Sequence, residues 1–311
     1  RSDDLCWEGV IHESPTGWLT RAPRRVIELD AHILHFGAVP ELRQARGKRT
    51  RNVALLEQRT QVEPKNPQVW AYLAGEYLHQ GKVAEAEEAV EQGWQAALRL
   101  KQKKLRPDLV QLITLRAHMQ LGGDLEGVAA TMDQARTWGV RHPNFCLLEA
   151  IALRQLPNPE PAHAARLLEE ALSWKGALKQ EPIPGARGWA SQMQLAELRL
   201  GMGELDAASQ AIACVLKERP EMEQAHLAKG ELFVRKGEGA QALQAVESLL
   251  SMERPDPWVI AAAACSLLGE VADMQALLRR AEQLQDRGFV NADRRKLMDG
   301  LLLEAALYRG Q

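Results

Sequence analysis

A recurrence at fixed length limits this chain more than any single motif. From residue 66 it reads NPQVWAYLAGEYLHQGKVAEAEEAVEQGW. Trp70, Leu73, Ala74, Tyr77, Gly81, Ala86, Val90 and Gly93 stand there at relative spacings 0, 3, 4, 7, 11, 16, 20 and 23. Large residues on a first helix face small ones on a second, so two backbones can approach closely across one turn. A lone unit of this kind cannot bury its own apolar face, and neighbouring units must stack to do so.

The same frame returns along the chain. Gly123-Asp124-Leu125, Gly203-Glu204-Leu205 and Gly237-Glu238-Gly239 repeat the inter-helix turn, and Gly203 lies 34 residues before Gly237. Leu195, Ala196, Ala208 and Ile212 fill the slots of a fourth unit, closed by Pro220; Gly230, Phe233, Ala242 and Val246 fill a fifth. Trp258, Ala262, Cys265, Gly269 and Leu278 mark a degenerate sixth. A third, around Phe145–Leu172, carries an insertion at PNPEP but keeps Ala164, Leu168 and Ala171. From about residue 64 to 285 the chain resembles a tetratricopeptide array, with Asp293–Tyr308 as a final capping helix. The expected fold class is therefore mainly α: a solenoid of about six helical hairpins preceded by a short irregular or β segment.

Composition agrees with helices packed on helices. Aromatics are 5% of the residues, and eight of the fifteen are Trp. A formal net charge of −2 argues against a protein whose main partner is a phosphate backbone or an acidic membrane surface. Hydrophobic content of 46% excludes disorder as a description of the whole. No apolar run approaches the roughly 18 residues of a membrane span. Cys6, Cys146, Cys214 and Cys265 show neither CxxC nor Cys-His spacing, which points to reduced, mostly buried thiols and a cytoplasmic setting. The chain starts without Met, inside a motif, and is expected to be a piece of something longer.

Two spacers interrupt the register. RLKQKKLRPD (99–108) is expected to extend a second helix and turn at Pro107, whereas KGALKQEPIPGARG (175–188) reads as a Gly/Pro loop between sub-arrays. The resulting organisation is a foreign segment over 1–40, a basic linker helix over 41–63, repeats one to three over 64–174, the loop, then repeats four to six with the capping helix over 189–311. Residues 1–40 hold Pro15, Gly17, Pro23, Gly37 and Pro40, with β-type runs at WEGVIH and RRVIELDAHILHF.

An ordered set of short motifs lies at this N-terminal end. Trp7, Gly9, Ile11, His12 and Glu13 come first, then Ile33, His35 and Gly37, then Lys48, Arg51, Asn52, Leu55 and Leu56 ahead of Pro64-x-x-Pro67. The set resembles the junction at which the GT-A catalytic domain of bacterial family 2-type glycosyltransferases runs into tetratricopeptide repeats. That resemblance implies a parent enzyme transferring sugar from a nucleotide-sugar to a protein or glycan acceptor, with the repeats serving acceptor binding, partner binding or oligomerisation. It implies Glu13 as the base for the acceptor hydroxyl, His12 as its orienting or acceptor-contacting neighbour, and His35 as a ligand to Mn²⁺ or Mg²⁺. No D-x-D occurs near the start, so neither metal nor nucleotide-sugar is expected on this fragment alone. Each motif also has a plain structural reading: His12 and Glu13 ending a strand, His35 satisfied beneath the first repeat.

Other constellations carry less. Gly47-Lys48-Arg49-Thr50 lacks the Gly a phosphate loop needs at position 42, where Leu42 stands. Nine basic residues face four acidic ones between Arg21 and Arg59, as a solvated linker helix or a contact for a diphosphate or acidic partner. The run Arg99, Lys101, Lys103, Lys104, Arg106 lacks interleaved aromatics, so nucleic acid is not an expected partner. Trp70 and Trp258 sit in signature core slots, while Trp189 after the loop is a candidate stacking surface.

In tetratricopeptide arrays two positions of each first helix line the concave face. Here the resemblance points to Ala71 and Gly75, Ile113 and Ala117, Met193 and Glu197, Leu227 and Glu231, then Val259 with Ala263. This small, mostly apolar floor suits a protein or peptide partner, possibly a second copy of the chain; alternatively the array tightens and covers the face itself. Two classes of function stand: the repeat region of a glycosyltransferase, and a non-catalytic interaction scaffold.

Overall fold

A computed structural model describes residues 48–100, 108–175, 183–288 and 292–309. The described residues form fourteen α-helices and contain no strand. Helix α1 (Lys48–Val62) precedes a first hairpin, α2 (Pro67–His79) and α3 (Val83–Leu98). The second hairpin is α4 (Asp108–Gln120) with α5 (Leu125–Thr137), and the third is α6 (Pro143–Gln155) with α7 (Pro161–Leu172). Then come α8 (Trp189–Gly201) with α9 (Leu205–Glu218), and α10 (Glu223–Lys236) with α11 (Gly239–Val246). The last are α12 (Pro255–Leu268) with α13 (Val271–Leu284), and α14 (Ala292–Arg309). Six hairpins and a terminal helix make an α-solenoid of tetratricopeptide-like units. Residues 1–40, to which the β-type runs belong, lie outside the described residues.

Local chemistry sets the helix ends. Asn66 caps α2 by accepting a hydrogen bond from the Gln68 N–H at 3.1 Å, with Pro67 pre-organised at the first helical position. Asp124 caps α5 in the same way through the Gly127 N–H at 2.9 Å. Four hairpin turns share one C-terminal device at Gly81, Gly203, Gly237 and Gly269, whose φ angles lie between 74° and 77°. At Gly237 the glycine N–H returns to Val234 O, and the next N–H, of Glu238, returns to Phe233 O. That left-handed step reverses the chain within two residues and suits glycine, which has no Cβ to strain. The expected extension of α3 is absent at Arg99 and Leu100, and residues 101–107, with Pro107, lie outside the described residues. The helix stops at Leu98, where the Arg99 and Leu100 N–H groups reach back only three residues, to Ala96 O and Ala97 O, and tighten the final turn.

Two compact units divide the chain: residues 1–152 with 177–182, and residues 153–176 with 183–311. In the first, Gly93 of α3 fits because a Cβ there would stand 2.9 Å from both Leu112 Cδ1 and Trp70 Cβ. Trp94 meets Trp138 with ring centroids 4.9 Å apart, and the Arg116 guanidinium covers the Trp94 ring at 4.6 Å. Arg136 of α5 bridges to Glu149 of α6 at 2.8 Å.

In the second unit three buried clusters join successive helices. Met193, Ala196, Ala208, Ile212, Ala225 and Ala228 belong to one buried cluster joining α8, α9 and α10. Leu227, Val246, Ile260 and Ala261 join α10, α11 and α12. Val259, Met274, Leu278, Met298 and Leu301 join α12, α13 and α14. The slots Ala164, Leu168, Ala171, Ala208, Ala242 and Ala262 all have no exposed surface, as backbone approach between paired helices requires.

Candidate partner-binding face

The first helix of each hairpin carries the positions expected to line a concave face. Ala71, Ile113, Ala117, Met193, Leu227 and Val259 are all at most 2% exposed. Gly75 is half-buried, and a Cβ on it would approach Gln111 Nε2 at 3.3 Å. Ala263 is 3% exposed. Gln111 of α4 reaches the Ala71 carbonyl of α2, Met193 packs with Ala225 and Ala228 of α10, Leu227 with Ile260 and Ala261 of α12, and Val259 with Met298 and Leu301 of α14. At Met193, Leu227 and Val259 the small floor is a packing seam between helices.

The two acidic members behave differently. Glu197 accepts from Gln224 Nε2 at 2.7 Å and pairs with Arg154 at 3.2 Å, and so ties α8 to α10 and to the end of α6. Glu231 is 5% exposed and pairs with Arg235 one turn on, at 2.8 Å. Its other oxygen lies 3.3 Å from Nε of Arg294, which α14 supplies. Arg294 Nη1 donates to Asp256 Oδ1 at 3.1 Å. Arg294 and Asp256 are 1% and 0% exposed, so a buried charge cluster sits where α10, α12 and α14 meet. Buried ions hold position only when paired, and this cluster registers the terminal helix on the array.

Sequence reasoning missed Arg294, Asp256 and a repeated loop tie. Trp70 Nε1 donates to Pro64 O at 2.9 Å, and Trp258 Nε1 donates to Met252 O at 3.4 Å. His226, in the same slot of the fifth hairpin, meets Pro220 O at 2.7 Å through Nε2. In each case the partner carbonyl lies six residues earlier, in the loop that enters the hairpin. The recurring slot was legible; its polar edge was not. Trp189 packs on the turn before it, since a Cβ on Gly185 would stand 2.2 Å from Trp189 Nε1, and Arg219 stacks over its ring at 5.0 Å.

His12, Glu13 and His35 lie outside the described residues. Among the described residues no group of three or more His, Cys, Asp or Glu side chains is arranged to hold a metal ion, and no helix is long and apolar enough to cross a membrane. Cys146 and Cys265 are buried and Cys214 is exposed; burial pushes the Cys265 thiol up to about 11.

The first unit has a second concave feature. A cleft of about 300 Å³ opens between α1 and α3 above α2, with Trp70, Leu73 and Tyr77 at its base and Glu57, Glu85 and Glu88 around its mouth. Tyr77 Oη donates to Glu57 Oε1 at 2.7 Å. Burial, that hydrogen bond and the nearby charges of Glu57, Glu85 and Glu88 push the phenol up to about 12.

No protein-family model matches the chain, and no curated protein matches its sequence. Among solved structures, it is similar to the crystal structure of a tetratricopeptide repeat protein from Parabacteroides merdae ATCC 43184. The TM-score is 0.51 at 15% identity, over 84% of this chain and 94% of that one. Identity that low speaks to the fold alone. Geometry and comparison agree that the described part of the chain is a helical-repeat solenoid of the tetratricopeptide kind.

Proposed function

We propose that this chain is a protein-interaction scaffold. The observation that carries the reading is the array of hairpins itself, shared with a solved tetratricopeptide repeat protein. Each hairpin contacts mainly its neighbours and leaves its remaining side chains to solvent, an architecture suited to gripping another polypeptide. With Met193, Leu227 and Val259 enclosed between helices, partner contacts in this reading fall to polar and aromatic groups at the edges of the helices. Cross-linking of the chain in an extract, followed by reconstitution with the purified cross-linked protein, tests this. Saturable binding in the reconstituted pair supports a scaffold; failure of every cross-linked candidate to bind when purified overturns it.

A second reading keeps the scaffold but places it in a sugar transferase. What supports it is the ordered set Trp7–Glu13, Ile33–Gly37 and Lys48–Leu56, which resembles the end of a GT-A catalytic domain. There Glu13 takes the acceptor proton, His12 orients it and His35 completes a Mn²⁺ or Mg²⁺ site, while the repeats receive the acceptor or a second copy of the chain. Normal turnover by a Glu13→Gln variant of the parent enzyme defeats this assignment.

A further inference from the structure

We infer that the cleft between α1 and α3 seats a Lys or Arg side chain projecting from a basic segment of a partner protein, an inference that rests on the scaffold reading above. The cleft has room for one long side chain rather than a helix, at about 300 Å³. Trp70, Leu73, Tyr77 and Ala89, beside the polar Thr60, Gln61 and Gln92, give the methylene stem of a basic residue an apolar wall, and the half-buried Trp70 can face its cation. Its mouth is acidic on both sides, Glu57 from α1 and Glu85 and Glu88 from α3.

Among the described residues no ion pair neutralises the carboxylates at the mouth. Helix α3 carries Glu85, Glu87, Glu88 and Glu91 and no Lys or Arg. Arg116 neutralises Glu91 at 2.6 Å, whereas no described basic residue forms an ion pair with Glu57, Glu85, Glu87 or Glu88. One cation of the chain already samples this field: the Lys82 ammonium lies 5.7 Å above the Tyr77 ring. Burial and the Glu57 hydrogen bond raise the Tyr77 phenol, and the charges of Glu57, Glu85 and Glu88 add to that rise. A free metal ion is not the match, since these carboxylates do not converge in the way a metal requires. An acidic partner is repelled, so charge complementarity selects a basic segment.

The test measures binding of a fluorescein-labelled helical Lys/Leu peptide, and of its Glu/Leu counterpart, to the 311-residue chain. Three variants are compared with wild type: Glu85→Gln with Glu88→Gln, Glu126→Gln with Glu170→Gln as an equal charge change elsewhere, and Glu85→Lys with Glu88→Lys. All four positions are exposed, and circular dichroism checks that the fold persists. The cleft pair is expected to weaken Lys/Leu binding roughly tenfold and the control pair less than twofold, with the Lys variant turning preference to the Glu/Leu peptide. Equal losses in the two Gln pairs mean a diffuse surface attraction and overturn the proposal, while binding elsewhere leaves the scaffold reading standing. A wild-type dimer dispersed by the cleft pair makes a second copy the occupant and also overturns it. Failure of both peptides and of every reconstituted partner removes the scaffold reading as well.

Discussion

Replacing Arg294 by Met tests whether the buried charge cluster, rather than apolar packing alone, holds the terminal helix. Each ion pair, at 3.1 and 3.3 Å, attracts by roughly 5 kcal/mol at an effective dielectric of about 20. Much of that attraction is offset by the several kcal/mol needed to strip water from each ion. The asymmetry lies in what the substitution leaves behind. Asp256 loses the guanidinium while fully buried, and Glu231 keeps only Arg235. Breaking a buried pair from one side costs about 3–5 kcal/mol, and the retained Arg235 contact places the expected value near the lower end, about 3 kcal/mol. A solenoid need not unfold in one step, so the loss should appear locally. Hydrogen exchange followed by mass spectrometry should show α14 and the end of α12 losing protection while α8 and α9 keep theirs. Adding Glu231→Leu and Asp256→Leu to Arg294→Met should recover most of the stability, because no ion is then left buried without a partner. A single variant that costs under about 1 kcal/mol, or a triple variant less stable than the single, refutes the reasoning.

Other outcomes follow from the same packing. A Cβ at Gly230 would stand 2.7 Å from Val246 Cγ1 and 2.9 Å from Ile260 Cγ2, so Gly230→Ala should lower stability by about 1–2 kcal/mol in thermal melts. Gly201→Ala meets nothing within 4 Å and should be neutral or stabilising by up to about 1 kcal/mol. Trp70→Phe and Trp258→Phe should each cost about 1 kcal/mol through loss of the loop tie, measured by urea unfolding. With the folded Tyr77 phenol at about 12 against 10 unfolded, the native state keeps its proton longer. Stability should therefore be independent of this group below pH 10 and fall as pH rises from 10 to 12; phenolate absorbance, assigned with Tyr77→Phe, reads it. Cys214 should react with iodoacetamide before Cys146 and Cys265, which label only on unfolding, as peptide mapping will show.

The repeat register was legible because its signals are local. Asn66, Pro67 and Asp124 mark helix starts, Gly81, Gly203, Gly237 and Gly269 mark the reversals, and the small residues fall at helical spacing between them. The insertion at PNPEP lies between α6 and α7, and its Pro161 begins α7. The site was less legible. Met193, Leu227 and Val259 lie on α8, α10 and α12, and the sequence leaves open whether an approaching neighbour covers them.

Taken alone, the sequence determined a helical-hairpin period, its turns and the slots that must be small. Only the tertiary structure decided which polar residues that packing encloses. Asp256 and Arg294 are 38 residues apart, and nothing in either one's local pattern marks it as buried. The same holds for the cleft, where Glu57 of the leading helix and Glu85 and Glu88 of α3 come to line one cavity with Tyr77. Spacing along one helix fixes which residues share its face. How near the next helix comes depends on the summed volumes of all the side chains between them, and that sum exists only once the units are stacked.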